Sequence, residues 1–417
     1  MGDHPIKTDS ANTLSSLANQ ANARNAFLAG FLSWTFDAFD FFILTYVLSQ
    51  VAKDFHRPIR DIAFTLTASL IMRPVGAFIF GLTADRYGRR VPLIINIVFY
   101  SAMEAASGLA GSFHTFLILR ILYGVGMGGT WGVSASLAME SAPPKMRGLL
   151  SGILQEGYAL GNLLAAVAFW TVFPHWGWRP MFFVGIVPAL ITLIVLFNVK
   201  ESPTWQATAA KQKDWGGYFR AIFSNGKRFA YLVLFMTTMT FLSHGTQDLY
   251  PTFLQQQRHY DPRLTAMISV ISMIGAIMGG ILMGHYSDRV GRRRSMITAM
   301  LGALVAIPIW VFSPGVALIA AGAFLMQFMV QGAWGVVPAH INELSPDRVR
   351  GFMPGFAYQV GALISASAPY IQTALTHNFT YAQVMGTFAA IVMILGTFIV
   401  GFGPEAHRIT FGRHESG

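Results

Sequence analysis

Residues 81–90 read GLTADRYGRR and residues 284–293 read GHYSDRVGRR, the same pattern displaced by 203 positions. Both copies keep the spacing of a glycine, an acid followed by arginine, a second glycine and paired arginines. The offset of 203 also carries Trp131-Gly132 onto Trp334-Gly335, Glu140 onto Glu343 and Arg147-Gly148 onto Arg350-Gly351. A constant displacement held from residue 81 to residue 148 marks a duplicated unit, as in membrane carriers built from parallel repeats.

The sequence around the two copies is apolar. The 417-residue chain is 53% hydrophobic and 12% charged, against about 25% charged in soluble domains. Runs long enough to cross ~30 Å of hydrocarbon as helices fall near 26–50, 62–84, 91–112, 115–140, 148–172 and 179–198. A second set falls near 229–256, 264–286, 295–312, 315–342, 351–375 and 381–403. The fold expected is an all-α membrane protein with twelve transmembrane helices in two pseudo-symmetric six-helix bundles. A tail at 1–24, bundles at 25–198 and 229–403, a linker at 199–228 and a tail at 404–417 complete the expected organisation.

The formal net charge of +10 does not point to nucleic acid, because the basic residues sit in short runs between apolar blocks. With both termini on one side, that side's segments hold 21 Lys and Arg and the other side six. The positive-inside rule then places both termini and the linker in the cytoplasm. The polar N-terminus lacks the apolar core of a secretory signal. With no cysteines there are no disulfides or thiolate metal sites, and neither a metal-ligand cluster nor a nucleotide loop is found. No enzyme chemistry, catalytic residue or cofactor is expected.

In the duplicated loop, the glycine lets helices approach while the arginines stay outside the membrane and anchor a tight turn. Asp85, Arg89, Glu140 and Arg147, with Asp288, Arg292, Glu343 and Arg350, are expected at the cytoplasmic helix ends as gating ion pairs. The competing reading is charges snorkelling to the surface. The loop in both halves, the twelve spans and ESPTW at 201–205 resemble the major facilitator superfamily over the whole chain. Arg120 with Gly124 and Gly126 is similar to that superfamily's span-4 motif. The fifth span (GYALGNLLAAV) lacks the glycine–proline signature of the drug–proton antiporters, which disfavours that reading.

A charge near the bilayer centre costs at least ~2.5 kcal/mol, so it is a functional candidate by default. At 1.5 Å of rise per residue, Asp37, Asp40, Arg73, Glu104 and His244 lie about midway across, with Asp248 one turn further and Glu156 inside the fifth span. Asp37 and Asp40 share a helix face, as do His244, Gln247 and Asp248. Glu104 reads as a lone, packed, protonated acid and His340 as an ordinary residue near a helix end. The stretch SHGTQDLYPT at 243–252 resembles the span-7 signature of fungal lactate/pyruvate:proton symporters in the sialate:proton symporter branch. Ser243, His244, Gln247, Asp248 and Thr252 match it, Thr246 replaces a serine, and Thr240 stands where the pattern has asparagine. That resemblance implies transport roles for His244, Asp248 and Arg73.

Chemistry leads to the same residues. An organic anion crossing an apolar barrier needs a cation, and a guanidinium matches a carboxylate bidentately. Arg73 is the first candidate and Arg120 the second. His244, Gln247, Asn162, Tyr158, Gln327 and Gln331 are expected around the substrate, with Phe36, Trp131 and Trp334 as possible walls. A proton travelling with the anion needs a group that titrates, and Asp40, Asp37, Asp248, His244 and Glu156 are the candidates. The expected function is proton-coupled symport of small monocarboxylates such as lactate or pyruvate, by alternating access. The alternatives are symport of a larger sialic or aromatic acid and proton-driven drug antiport. The expected setting is a lipid bilayer, a multi-pass monomer in the cell membrane (a bacterial inner membrane), with an organic anion and a proton as partners.

Overall fold

Long apolar runs without internal breakers close their backbone hydrogen bonds within one helix, which is what hydrocarbon requires of a spanning segment. The structure, a computed structural model, describes residues 6–208 and 214–412, with side chains from Gln20 onward except that of Thr208. The spans are α1 (Ile6–Asp54), α2 (Ile59–Tyr87), α3 (Arg90–Gly108), α4 (Phe113–Ser141), α5 (Arg147–Gln155 and Gly157–Trp176) and α6 (Arg179–Val184 and Ile186–Phe197). The second set is α7 (Gly226–Gln247 and Tyr250–Gln256), α8 (Pro262–Val290), α9 (Arg292–Ile307, continued by a π turn Pro308–Phe312), α10 (Val316–Leu344), α11 (Met353–Ser365 and Ala368–Leu375) and α12 (Tyr381–Phe402). Among the described residues there is no β-strand.

Among the described residues, ten helices are long and apolar enough to cross a membrane, and α7 and α11 are not among them. Each carries a proline where it breaks. Pro251 and Pro369 lie in the first turns of the second pieces of α7 and α11. A proline ring clashes with the carbonyl four residues back and donates no amide, so each span is divided, and the 22-residue first piece of α7 is long enough but made less apolar by its Thr, Ser and His residues.

The duplication appears in the packing. α2 lies on α4, α1 on α5 and α3 on α4 in the first half, and α8 on α10, α7 on α11 and α9 on α10 in the second. Gly76 packs on Val125 and Gly279 on Phe328, 203 positions on. A Cβ at either glycine would overlap the backbone of the facing helix. Outside the bundle, Ile191, Ile194, Leu282 and Phe398 are exposed, an apolar surface that suits lipid and not water.

Two expected boundaries move. The polar tail expected at 1–24 is helical from Ile6 and continuous with α1, because no glycine or proline interrupts residues 6–29. Among its described residues the linker contains two short helices, Pro203–Thr208 and Trp215–Ser224, before α7 starts at Gly226. Residues 1–5, 209–213 and 413–417 of the expected tails and linker lie outside the described residues.

Candidate functional site

The eight duplicated charges meet at the end of the bundle that carries the linker. Arg89 pairs with Asp85 and Glu140 at 2.8 and 2.9 Å, and Arg292 pairs with Asp288 and Glu343 at 2.8 and 2.9 Å. Burial alone would lower the Arg89 pKa, but Glu140 and Asp85 raise it well above its ordinary value. Both carboxylates then reach the opposite half. Asp85 accepts from the amides of Gly351 and Phe352 at 2.7 and 3.0 Å, and Asp288 from those of Gly148 and Leu149 at 2.8 and 2.9 Å. These amides open α11 and α5, where the first turn leaves donors without intrahelical partners. Arg147 pairs with Glu343 at 3.0 Å and Arg350 with Glu140 at 3.8 Å, so further ion pairs cross between halves.

The linker adds to this seal. Tyr218 donates to Asp85 Oδ2 at 2.9 Å and Trp205 donates to the Asp85 carbonyl at 2.7 Å. Burial and then the Asp85 charge hold the Tyr218 hydroxyl far above its ordinary pKa, so it remains a donor. Below these pairs, α5 packs on α8 and α10, and α2 on α11. This end is closed.

The other end differs. There α5 (157–176) packs on α1 and α6, and α7 on its own half. Tyr158 is 36% exposed, and the side chains of His244 and Asp248 are 40% and 34% exposed. Tyr158 lies within electrostatic range of Tyr358, Arg73, Asp248 and Asp37, which come from both halves. The accessible space that Tyr158, His244 and Asp248 border is the chamber. His244 Nδ1 and Asp248 Oδ2 are 2.9 Å apart, while Gln247 donates to Gln327 at 2.9 Å. The His–Asp pair stands at the Pro251 break, one helical turn long.

The floor of the chamber is aromatic. Trp131 and Tyr358 have ring centroids 4.6 Å apart, and Trp334 lies 5.9 Å from Tyr358. Above Tyr358, at 5.6 Å from its ring centre, sits the Arg73 guanidinium. Arg73 is 8% exposed, and its Nε and Nη2 have no hydrogen-bond partner. A buried guanidinium without an ion pair is costly.

Arg120 also leaves Nε and Nη2 without a partner, but it has an acid beside it. It forms a buried ion pair with Glu104 and stacks on Tyr123, 4.0 Å from the ring centre. The reading of Glu104 as a lone acid is corrected: it lies one helix away from Arg120 and binds it. Arg120, committed to that pair and fully buried, loses the geometric basis for a role as second anion site. His340 is not ordinary either. It is fully buried with neither ring nitrogen hydrogen-bonded, its ring edge-on to Phe235 at 5.4 Å. Asp37 accepts from Thr130 at 3.4 Å, and both carboxylate oxygens of the buried Asp40 lack a partner.

A family model described as Major Facilitator Superfamily matches residues 28–279 and 249–412. The chain belongs to the major facilitator superfamily. Its members are transporters, not enzymes, and this chain is a multi-pass membrane protein of the cell membrane. A carboxylic acid transporter protein homolog of Saccharomyces cerevisiae is 30% identical over 92% of this chain and 68% of that protein. The sialic acid transporter NanX of Escherichia coli is 26% identical over 91% of this chain and 94% of that protein. The proton:xylose symporter XylE, solved with 6-bromo-6-deoxy-D-glucose, superposes with TM-score 0.76 at 20% identity, over 94% of this chain and 98% of XylE. That likeness supports the twelve-helix fold.

Within this superfamily fold, Tyr158, His244 and Asp248 are partly exposed, Arg73 and Gln327 are buried, and Gln331 lies half-buried one turn along α10 from Gln327. Three expected residues stand apart. Asn162 accepts from Tyr46 at 3.0 Å, against α1. Glu156 points an unpartnered oxygen at Gly280 of α8, in the contact between halves. Phe36 is buried. Tyr358 was not singled out from the sequence, although 358 is 155 plus 203: it occupies the repeat position of Gln155, which accepts from Trp131 at 3.4 Å.

Proposed function

We propose that this transporter is a proton-coupled symporter of small monocarboxylates such as lactate or pyruvate, of the sialate:proton symporter branch, working by alternating access. The observation that carries the reading is the Arg73 guanidinium, buried beside an accessible chamber with two of its nitrogens unpartnered. A carboxylate that reaches those nitrogens as the surrounding side chains move would make two parallel charge-assisted bonds. The curated relatives reported above are transporters of a carboxylic acid and of sialic acid, itself a carboxylate.

The proposed cycle starts from the end opposite the linker, with the linker end cytoplasmic. The acid enters past Tyr158 and the His244–Asp248 pair, and its carboxylate replaces missing partners at Arg73. Gln247 and Gln327 meet its hydroxyl or keto oxygen. A proton on Asp40, Asp37, Asp248, His244 or Glu156 compensates the charge. The latches at Asp85, Arg89, Glu140 and Arg147, and at Asp288, Arg292, Glu343 and Arg350, then open and the halves rock. A larger acid is the second reading, because the sialic acid transporter matches over nearly its full length.

Proteoliposomes with an imposed pH gradient, acid outside, test the scheme. Labelled lactate should accumulate with the gradient, and Arg73→Ala should abolish accumulation. Losing both charge-assisted bonds, at ~1.5–3 kcal/mol each, weakens binding at least a hundredfold. Accumulation that ignores the gradient removes the proton. Wild-type lactate affinity in Arg73→Ala removes the anion site. Competition by unlabelled acids of two to nine carbons separates the two substrate readings.

A further inference from the structure

We propose that Tyr358 reports the occupancy of Arg73 to the second half of the carrier: the empty guanidinium holds the Tyr358 ring, and a bound carboxylate releases it. The proposal rests on Arg73 as the anion site.

Three observations carry it. First, the contact crosses between halves, since Arg73 belongs to α2 and Tyr358 to α11, with the guanidinium 5.6 Å from the ring centre. Second, Tyr358 is the hub of the chamber floor, touching Trp131 of the first half and Trp334 of the second. Third, the repeat is broken at this place and nowhere else in the floor. Trp131 has its counterpart in Trp334, but Gln155 corresponds to Tyr358 and Arg73 to Ala276, each 203 positions on. The duplicated unit therefore carries one cation and one ring, on opposite halves, facing each other.

The physical link is the ring quadrupole. A bare guanidinium is attracted to the negative face of tyrosine, most strongly where water is excluded. A carboxylate bound to the same guanidinium cancels its charge and brings negative oxygens toward that face. The attraction then falls. A ligand shifts a conformational equilibrium only through a difference in interaction between the two states, and this cross-half contact supplies such a difference. The empty, charged carrier is held closed at the linker end, and the loaded one is freed to rock. Slippage without cargo is thereby suppressed.

The chain has no cysteine, so one introduced thiol reports without background. Ser136 is fully buried in the closed end, donating to Asn342 and to the Arg350 carbonyl, and Ser136→Cys becomes reactive only when that end opens. Maleimide labelling is measured with and without saturating lactate, alongside lactate binding, in this background and with Tyr358→Leu, Tyr358→Phe or Arg73→Ala added. With the tyrosine present, lactate should speed labelling. Tyr358→Leu should label about three- to tenfold faster without lactate, as expected from losing a desolvated cation–π contact, and should lose most of the lactate response while still binding lactate. Tyr358→Phe keeps the quadrupole and should behave like the parent. If Tyr358→Leu responds to lactate as the parent does, the proposal is overturned with the anion site intact. If Tyr358→Phe is as fast as Tyr358→Leu, the hydroxyl and not the ring face matters, and the proposal is also overturned. Undiminished lactate binding in Arg73→Ala overturns it through the reading beneath it.

Discussion

Replacing Asp85 by asparagine should open the linker end, and the structure sets the size of the effect. Asp85 is fully buried and accepts from Arg89, Tyr218 and the amides of Gly351 and Phe352. Only the two amides belong to the other half, so only they are necessarily broken when the halves part. Asparagine keeps one acceptor oxygen and no charge. About one charge-assisted bond is lost, ~1.5–3 kcal/mol, which shifts the ratio of open to closed about ten- to 140-fold. Maleimide labelling of a Ser136→Cys reporter reads that ratio directly in membranes. The repeat adds a second constraint. Asp288 makes the same contacts to Gly148 and Leu149, so Asp288→Asn should accelerate labelling by a similar factor, and the double variant by roughly the product if the sites act independently. Labelling of Asp85→Asn at the parental rate would refute the latch, and a large inequality between Asp85→Asn and Asp288→Asn would refute its symmetry.

Two further outcomes follow from the interior. Arg120→Ala leaves Glu104 buried without its partner and should cost ~3–5 kcal/mol, seen as a fall in thermal stability of the detergent-solubilised protein; Glu104→Leu combined with Arg120→Met should recover most of it. Recovery of stability without loss of lactate affinity is expected, because both residues are buried and bind each other. Gly76→Ala and Gly279→Ala each force a methyl into a facing backbone and should destabilise by ~1–3 kcal/mol. Only Gly76→Ala moves the helix that carries Arg73, so lactate affinity should fall in that variant and hold in Gly279→Ala.

The twelve spans and the duplicated loop were legible because both are local: apolar length and a repeated pattern need no tertiary information. The duplicated charges were legible for the same reason, and the constant offset relates each to its counterpart in the other half. What pairs with what across the bundle was not. Nothing along the chain says that Glu104 reaches Arg120 rather than standing alone, since the contact depends on how α3 turns against α4. Tyr358 was hidden differently. Aromatic residues in apolar spans are common, and its importance comes from the cation above it and the two indoles beside it. Comparing the halves position by position finds it, because Gln155 and Tyr358 break a symmetry that Trp131 and Trp334 keep.

The two mid-depth arginines show why position in a span does not decide function. Both sit on first-half helices and both are buried. Arg120 has an acid and two aromatic rings around it, so its desolvation is offset within its own half and nothing in a rocking motion needs to change there. Arg73 has an aromatic face from the other half and, among the described residues, no acid in ion-pair contact. Its stability therefore depends on which way the halves lean and on whether an anion is present. A group whose energy varies with both is the physical requirement for coupling cargo to motion. Exchanging the two environments makes the distinction measurable: an acid placed beside Arg73 by Tyr358→Glu should satisfy the guanidinium internally. Lactate binding should then collapse, as in Arg73→Ala, while thermal stability rises or holds. Collapse of folding instead would mean that the chamber cannot accept a carboxylate at that position, against the anion site itself.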